Sequence, residues 1–168
     1  KYVSETEKIK VIEGGETRNE TIMNAIAYIE REGKLDEDTL IVTHDAVRPF
    51  VTYRIIEENI QAAQKCGACD TVVPATDTIV ESREGSVIAD IPNRAVLYQG
   101  QTPQSFNAMK LRALYESLTE EEKAVLTDAA KIFVIKGEQV RLVKGENSNI
   151  KITYPYDLTV AESLLKGV

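Results

Sequence analysis

The sequence has no tryptophan, one histidine (His44) and two cysteines, Cys66 and Cys69. A zinc site needs about four nitrogen or sulfur ligands, and there is no second cysteine pair, while His44 lies far from this one in sequence. The C-x-x-C spacing is therefore read as two reduced thiols around Gly67 at a helix end, in keeping with a cytoplasmic protein. Long apolar runs are also missing, so no stretch reads as a membrane span, and the charged, mixed start from Lys1 to Lys10 does not read as a signal peptide. Cations are scarce: 20 Lys and Arg stand against 27 Asp and Glu, a formal net charge of -7. Such an acidic chain repels nucleic-acid backbones, which argues against a polymer-binding role. A site for phosphorylated small molecules has to gather its few cations locally.

What is present is a chain of 168 residues, 43% hydrophobic and 28% charged, the size of a single domain with its own core. Short apolar runs alternate with amphipathic stretches, the pattern of an α/β fold. Lys8 to Ile12 reads as a strand, Gly14-Gly15 as a turn, and Thr17 with Glu20 as a capping box that opens a helix burying Ile22, Ile26 and Ile29. Thr39 to Thr43 is a β-branched strand; Thr52 caps the next helix, Gly67 closes it, and Thr71 to Val73 is a further strand. From 76 to 98 the apolar content drops, and two short β-like runs flank Arg83-Glu84-Gly85-Ser86, which predicts a projecting β-arm that has to pack on something, such as a second subunit. Helices are expected over Ser105 to Leu118 and, behind a second capping box, Thr119 to Leu126. Thr127-Asp128 caps a short one, Val140 to Val143 forms a strand, and Pro155 opens a last helix near Asp157 to Leu165.

Four clusters carry polar chemistry. Gly14-Gly15-Glu16-Thr17-Arg18 sets a glycine turn before a helix, where backbone N–H groups favour anions. His44-Asp45-Ala46-Val47-Arg48-Pro49 follows a buried strand, the place where open α/β sheets collect ligands; Asp45 suits a metal-bound nucleotide and Arg48 a phosphate, while a surface salt bridge is the plain alternative. His44 by itself reads as a packed or capping residue. Arg94 and Gln99-Gly100-Gln101-Thr102-Pro103-Gln104 offer amides and a hydroxyl to a polyol or phosphate, or form a simple turn. In Asn147 to Thr153, Lys151 between Ile150 and Ile152 points to the opposite face of a strand, where a lysine ordinarily meets solvent.

In this order, GGETR, HDAVRPF, Asp77-Thr78, QTPQ, Thr127-Asp128 and NIKIT-x-P-x-DL resemble the family of methylerythritol-phosphate and ribitol-phosphate cytidylyltransferases, from about Ile12 to Leu158. The ribitol 5-phosphate branch looks closer on Pro92-Asn93-Arg94, Tyr98 to Gln104, Thr127 to Phe133 and His44 to Phe50. The resemblance implies an α/β Rossmann-like three-layer sandwich with a β-arm at about 76–98, in one nucleotidyltransferase domain over 1–168. It implies transfer of CMP from CTP to D-ribitol 5-phosphate, giving CDP-ribitol, a teichoic acid or polysaccharide precursor. The alternative within the family is 2-C-methyl-D-erythritol 4-phosphate in isoprenoid synthesis; the alternative outside it is a non-catalytic dimerisation and nucleotide-binding fragment.

Carried over by residue, Gly15, Arg18, Thr21, Asp45, Ala46 and Lys151 contact the nucleotide; Arg48, Thr78, Arg94 and Thr102 hold the polyol phosphate. Lys151, Asp45 and Arg94 are the catalytic set, Mg²⁺ is the cofactor with Asp45 as its candidate ligand, and the arm brings Thr78 and Arg94 to the partner's site in a homodimer. The family's opening strand, glycine-rich loop and Pro-Lys pair have no match here, and the chain starts at Lys1 rather than Met, so an N-terminal part is expected upstream.

Overall fold

The computed structural model describes residues 8–166. Thr17 accepts from the backbone N–H of Glu20 while the Glu20 carboxylate takes the N–H groups of Glu16 and Thr17, and this box starts α1 (Arg18–Arg31). Strand β1 (Leu40–Thr43) follows, then α2 (Tyr53–Cys66), which ends on Gly67 at φ 80°, a left-handed turn that favours glycine. Strand β2 (Ala68–Pro74) leads into the arm, and the chain returns through a 3₁₀ turn (Arg94–Val96) into β3 (Tyr98–Asn107). Helices α3 (Ala108–Glu116), α4 (Glu120–Ala124) and α5 (Ala130–Ile135), strand β4 (Arg141–Lys144) and α6 (Pro155–Leu165) complete it.

The sheet has the order β1-β3-β2-β4, with β3 antiparallel to both neighbours and β4 parallel to β2. Hence β1, β2 and β4 run the same way and end on the same edge. Successive residues of a strand face opposite ways, and each face of this sheet is covered by helix. The row Ile41, Phe106 and Ala68 joins Ile22 and Ile26 of α1, Leu111 of α3 and Phe133 of α5, with Phe106 stacked on Phe133 at 5.3 Å. On the other face Cys69 and Val143 meet Ala63 of α2. There the buried Asn59 amide donates to Thr71 Oγ1 at 2.8 Å, and Thr71 Oγ1 donates to Pro103 O at 2.6 Å. The result is the expected three-layer α/β/α sandwich.

Several expectations are corrected. Lys8 to Ile12 forms no strand: it is outside the four-stranded ladder, and Ile9 and Val11 stand 42% and 71% exposed. The part of the Lys1–Lys10 reading that falls on 1–7 lies outside the described residues. The helix expected from Ser105 begins only at Ala108, because 98–107 is the sheet's longest strand. Ile150 to Thr153 belongs to no strand; Ile152 N–H donates to Val47 O at 2.8 Å and ties the segment to the loop after β1. The arm is less regular than a hairpin: every residue from 76 to 91 is exposed, and its sides meet in the isolated bridge Glu81–Asp90 rather than in a ladder.

Candidate active site

The loops after β1 and β4 and the start of α1 meet at one edge of the sheet. Asp45, just past β1, is 16% exposed at its side chain and collects three cations: Arg18 Nη1 at 3.0 Å from Oδ1, and Arg48 Nε and Lys151 Nζ each at 3.5 Å from Oδ2. Three cations and one carboxylate leave the cluster with two excess positive charges in a chain that is negative overall. Such a field draws phosphate oxygens, which would compete with Asp45 for the same donors.

The backbone sets these side chains. Between Asp70–Gln104 and Val72–Gly100 the β2–β3 register slips, so three β3 residues oppose one of β2, a bulge that re-aims Thr102. Thr102 Oγ1 there accepts from Asp45 N–H at 3.0 Å and lies 3.0 Å from His44 Nδ1. Arg48 donates through Nη1 to Asn149 O at 2.8 Å, while its Nε has only the long ion pair with Asp45 and no hydrogen bond. The fully buried Asn149 amide donates to Thr102 O at 2.8 Å and Gln101 Oε1 at 3.2 Å, and so fastens the loop that carries Lys151 to the bulge.

The same loop is tied to α2. Glu146 accepts from Thr52 at 3.0 Å and Arg54 at 2.9 Å, so the Thr52 hydroxyl serves this contact instead of capping its helix. The Arg54 guanidinium holds the Glu146 carboxyl below the usual range. Gly145 is closely packed here: a Cβ would come within 2.3 Å of Gln101 Oε1 and displace that side chain. Glycine at 145 and the Arg54–Glu146 pair carried no recognisable signal in the sequence; both follow from a loop pressed against the bulge.

Not every expected residue joins. Gly15 is needed for close packing, its hypothetical Cβ falling 2.3 Å from Glu20 Cβ, but its N–H donates to Thr21 Oγ1 at 2.9 Å. The N–H groups of Glu16, Thr17 and Glu20 are likewise taken by Glu20 and Thr17 side chains, so the glycine turn is not an open anion nest. Ala46 is exposed in the turn Asp45–Arg48. Thr78 and Arg94 lie on the exposed arm, Arg94 donating to Thr76 O at 2.7 Å, and neither hydrogen-bonds or ion-pairs with Arg18, Asp45, Arg48 or Lys151. As for a metal, no group of three or more His, Cys, Asp or Glu among the described residues is placed to hold one, and Asp45 is committed to cations. These residues do not fit a resident metal ion.

An α/β/α frame whose strand ends gather guanidinium and ammonium groups around one carboxylate is suited to binding a phosphorylated ligand at that edge. The chain belongs to the IspD family, whose model, described as 2-C-methyl-D-erythritol 4-phosphate cytidylyltransferase, matches residues 1–167. It is accordingly an enzyme, a nucleotidyltransferase of the cytidylyltransferase type. Among solved structures it is similar to a 4-diphosphocytidyl-2C-methyl-D-erythritol synthase, at 31% identity and TM-score 0.78 over 90% of this chain and 68% of that one. It is also similar to the 2-C-methyl-D-erythritol 4-phosphate cytidylyltransferase of Thermus thermophilus, at 32% identity and TM-score 0.75 over 92% and 72%. The Francisella tularensis enzyme of that name aligns at 26% identity and TM-score 0.85 over 95% and 73%.

Proposed function

We propose that the protein transfers CMP from CTP to 2-C-methyl-D-erythritol 4-phosphate, releasing pyrophosphate. This reverses the order of preference drawn from the motifs alone, because the family model and the similar structures carry the methylerythritol name. The observation that carries the chemistry is Asp45 holding Arg18, Arg48 and Lys151 together at the strand ends. A phosphate oxygen of the polyol phosphate attacks the α-phosphorus of CTP; a new P–O bond forms as the bond to the β-phosphate bridging oxygen breaks, and pyrophosphate carries away the electron pair. The protein's share is positioning and charge stabilisation. In this reading Arg18, Gly15, Thr21 and Ala46 line the nucleotide side, Lys151 neutralises the α-phosphate, and Arg48 and Thr102 hold the polyol phosphate.

A divalent cation, as the family generally uses, would have to be bound chiefly by the triphosphate, consistent with the lack of a protein cage among the described residues. A homodimer through the arm is part of the proposal, with Thr78 and Arg94 reaching the partner's site. Its support is the apolar surface the arm exposes, Val87 at 70% and Ile88 at 56% among others.

D-ribitol 5-phosphate remains the second reading, favoured by Pro92-Asn93-Arg94, Tyr98 to Gln104 and Thr127 to Phe133. Pyrophosphate release by the full-length protein with CTP, Mg²⁺ and each polyol phosphate in turn separates them. Turnover of methylerythritol phosphate alone supports the proposal, turnover of ribitol 5-phosphate alone replaces it with the second reading, and silence with both leaves a non-catalytic nucleotide-binding protein.

A further inference from the structure

The one histidine is placed where its hydrogens decide what Thr102 does. His44 Nε2 lies 2.9 Å from Arg48 O, a carbonyl that only accepts, so Nε2 carries the hydrogen and donates it. In the neutral ring Nδ1 is then an acceptor, and its partner at 3.0 Å is Thr102 Oγ1. A hydroxyl has one hydrogen and two lone pairs. Thr102 gives its hydrogen to His44 and one lone pair to Asp45 N–H, which leaves a single lone pair and no donor for anything else.

We infer that His44 is a positioning residue that makes Thr102 an acceptor toward the substrate, so that the group Thr102 meets is a hydroxyl of the polyol and not an oxygen of its phosphate. The inference deepens the proposed function and rests on its placing of Thr102 in the polyol phosphate site. It divides the labour there by chemistry. Arg48, a cation on the same turn as Asp45, serves the anionic end, while Thr102 reads a donor on the polyol chain. His44 also has a structural part, since through Arg48 O and Thr102 Oγ1 it ties the Asp45–Arg48 turn to the β3 bulge.

Two variants separate this role from simple packing. Asparagine places its side-chain oxygen near the Nδ1 position and keeps Thr102 an acceptor, whereas glutamine reaches toward the Nε2 position and leaves the Thr102 hydrogen free. In the full-length protein His44→Gln is expected to raise KM for the polyol phosphate about five- to tenfold, the scale of one lost hydrogen bond, with KM for CTP unchanged. His44→Asn should stay within about twofold of the parent, again on the scale of a fraction of one hydrogen bond. Equal losses in both variants, or a parallel rise in both KM values, overturn the inference. Thr102→Val tests the underlying reading: an unchanged polyol phosphate KM removes Thr102 from that site, while a raised one with a silent His44→Gln defeats only the role given to His44.

Discussion

Lys151 Nζ lies 3.5 Å from Asp45 Oδ2, joining the loop after β4 to the loop after β1. With its side chain 48% exposed, Lys151 is the most accessible of the three cations around that carboxylate and the one best able to turn toward an incoming phosphate. Lys151→Ala is expected to lower kcat at least about a hundredfold, as when one preorganised charge donor is lost. Steady-state pyrophosphate release measures this, and a near-normal rate takes Lys151 out of the mechanism.

The arm offers a physical test of assembly. Val87→Asp with Ile88→Asp places charge on two of its exposed apolar residues. Light scattering on the parent should give the mass of two chains and on the double variant that of one, with activity falling alongside. A parent that stays monomeric at working concentration ends the dimer proposal and the roles of Thr78 and Arg94 in trans.

Asp70 lies opposite Gln104 in the β2–β3 register, and Asp70 Oδ1 and Gln104 Oε1 are both buried without a hydrogen bond. Burial, with Asp128 nearby adding to it, pushes the Asp70 carboxyl up to about 6 from 3.8. The native state therefore holds this proton more tightly than the unfolded chain, and stability falls as pH rises from about 4 to about 6. Above that window the penalty is fully present, at most about 3 kcal/mol on linkage. Asp70→Asn removes the charge and supplies an amide donor for Gln104 Oε1, so it should raise Tm at pH 8 and change it little at pH 4. Thermal melts at the two pH values check this; equal shifts at both would exclude an electrostatic origin.

The two thiols differ despite their spacing. Cys66 ends α2 exposed, whereas Cys69 is buried, donates to Asn59 O at 3.2 Å and is pushed up to about 11, chiefly by burial. At pH 8 a thiol reagent should label one cysteine per folded chain, and the second only in denaturant. Rapid labelling of both, or a disulfide in the purified protein, contradicts the structure.

Helices α1 and α2 were legible because their signals are local: a capping box at Thr17 and Glu20, and a glycine at 67 that alone tolerates the left-handed turn. Strand β3 was not. Gln101 to Phe106 are buried consecutively, and four of the six are polar, so neither alternation nor an apolar run marks them. Their partners come from distant segments: Gln101 donates to Glu146 O, Ser105 to Asn59 Oδ1, and Thr102 meets His44. A central strand built on such pairings cannot be seen one residue at a time. The converse error at Lys8 to Ile12 has the same root, since β-branched alternation makes a strand only where a ladder receives it. In the site, Asp45 and Arg48 stood out as a charged motif after a buried strand. His44 read only as a packed or capping residue, because its two partners, a carbonyl four residues on and a hydroxyl on β3, have no sequence signature.

Because β3 runs against its neighbours, the chain leaves β2 at Pro74 and re-enters at Tyr98 directly across the ladder, on the same edge as Asp45. The excursion between them is a closed detour: its two feet are pinned by Ala75 N–H to Leu97 O at 3.0 Å, and nothing in the register depends on its length. Insertions, deletions and drift in the arm are thereby uncoupled from the geometry of the strand ends. A lineage can lengthen, shorten or replace the arm while the arrangement around the Asp45 carboxylate is inherited intact.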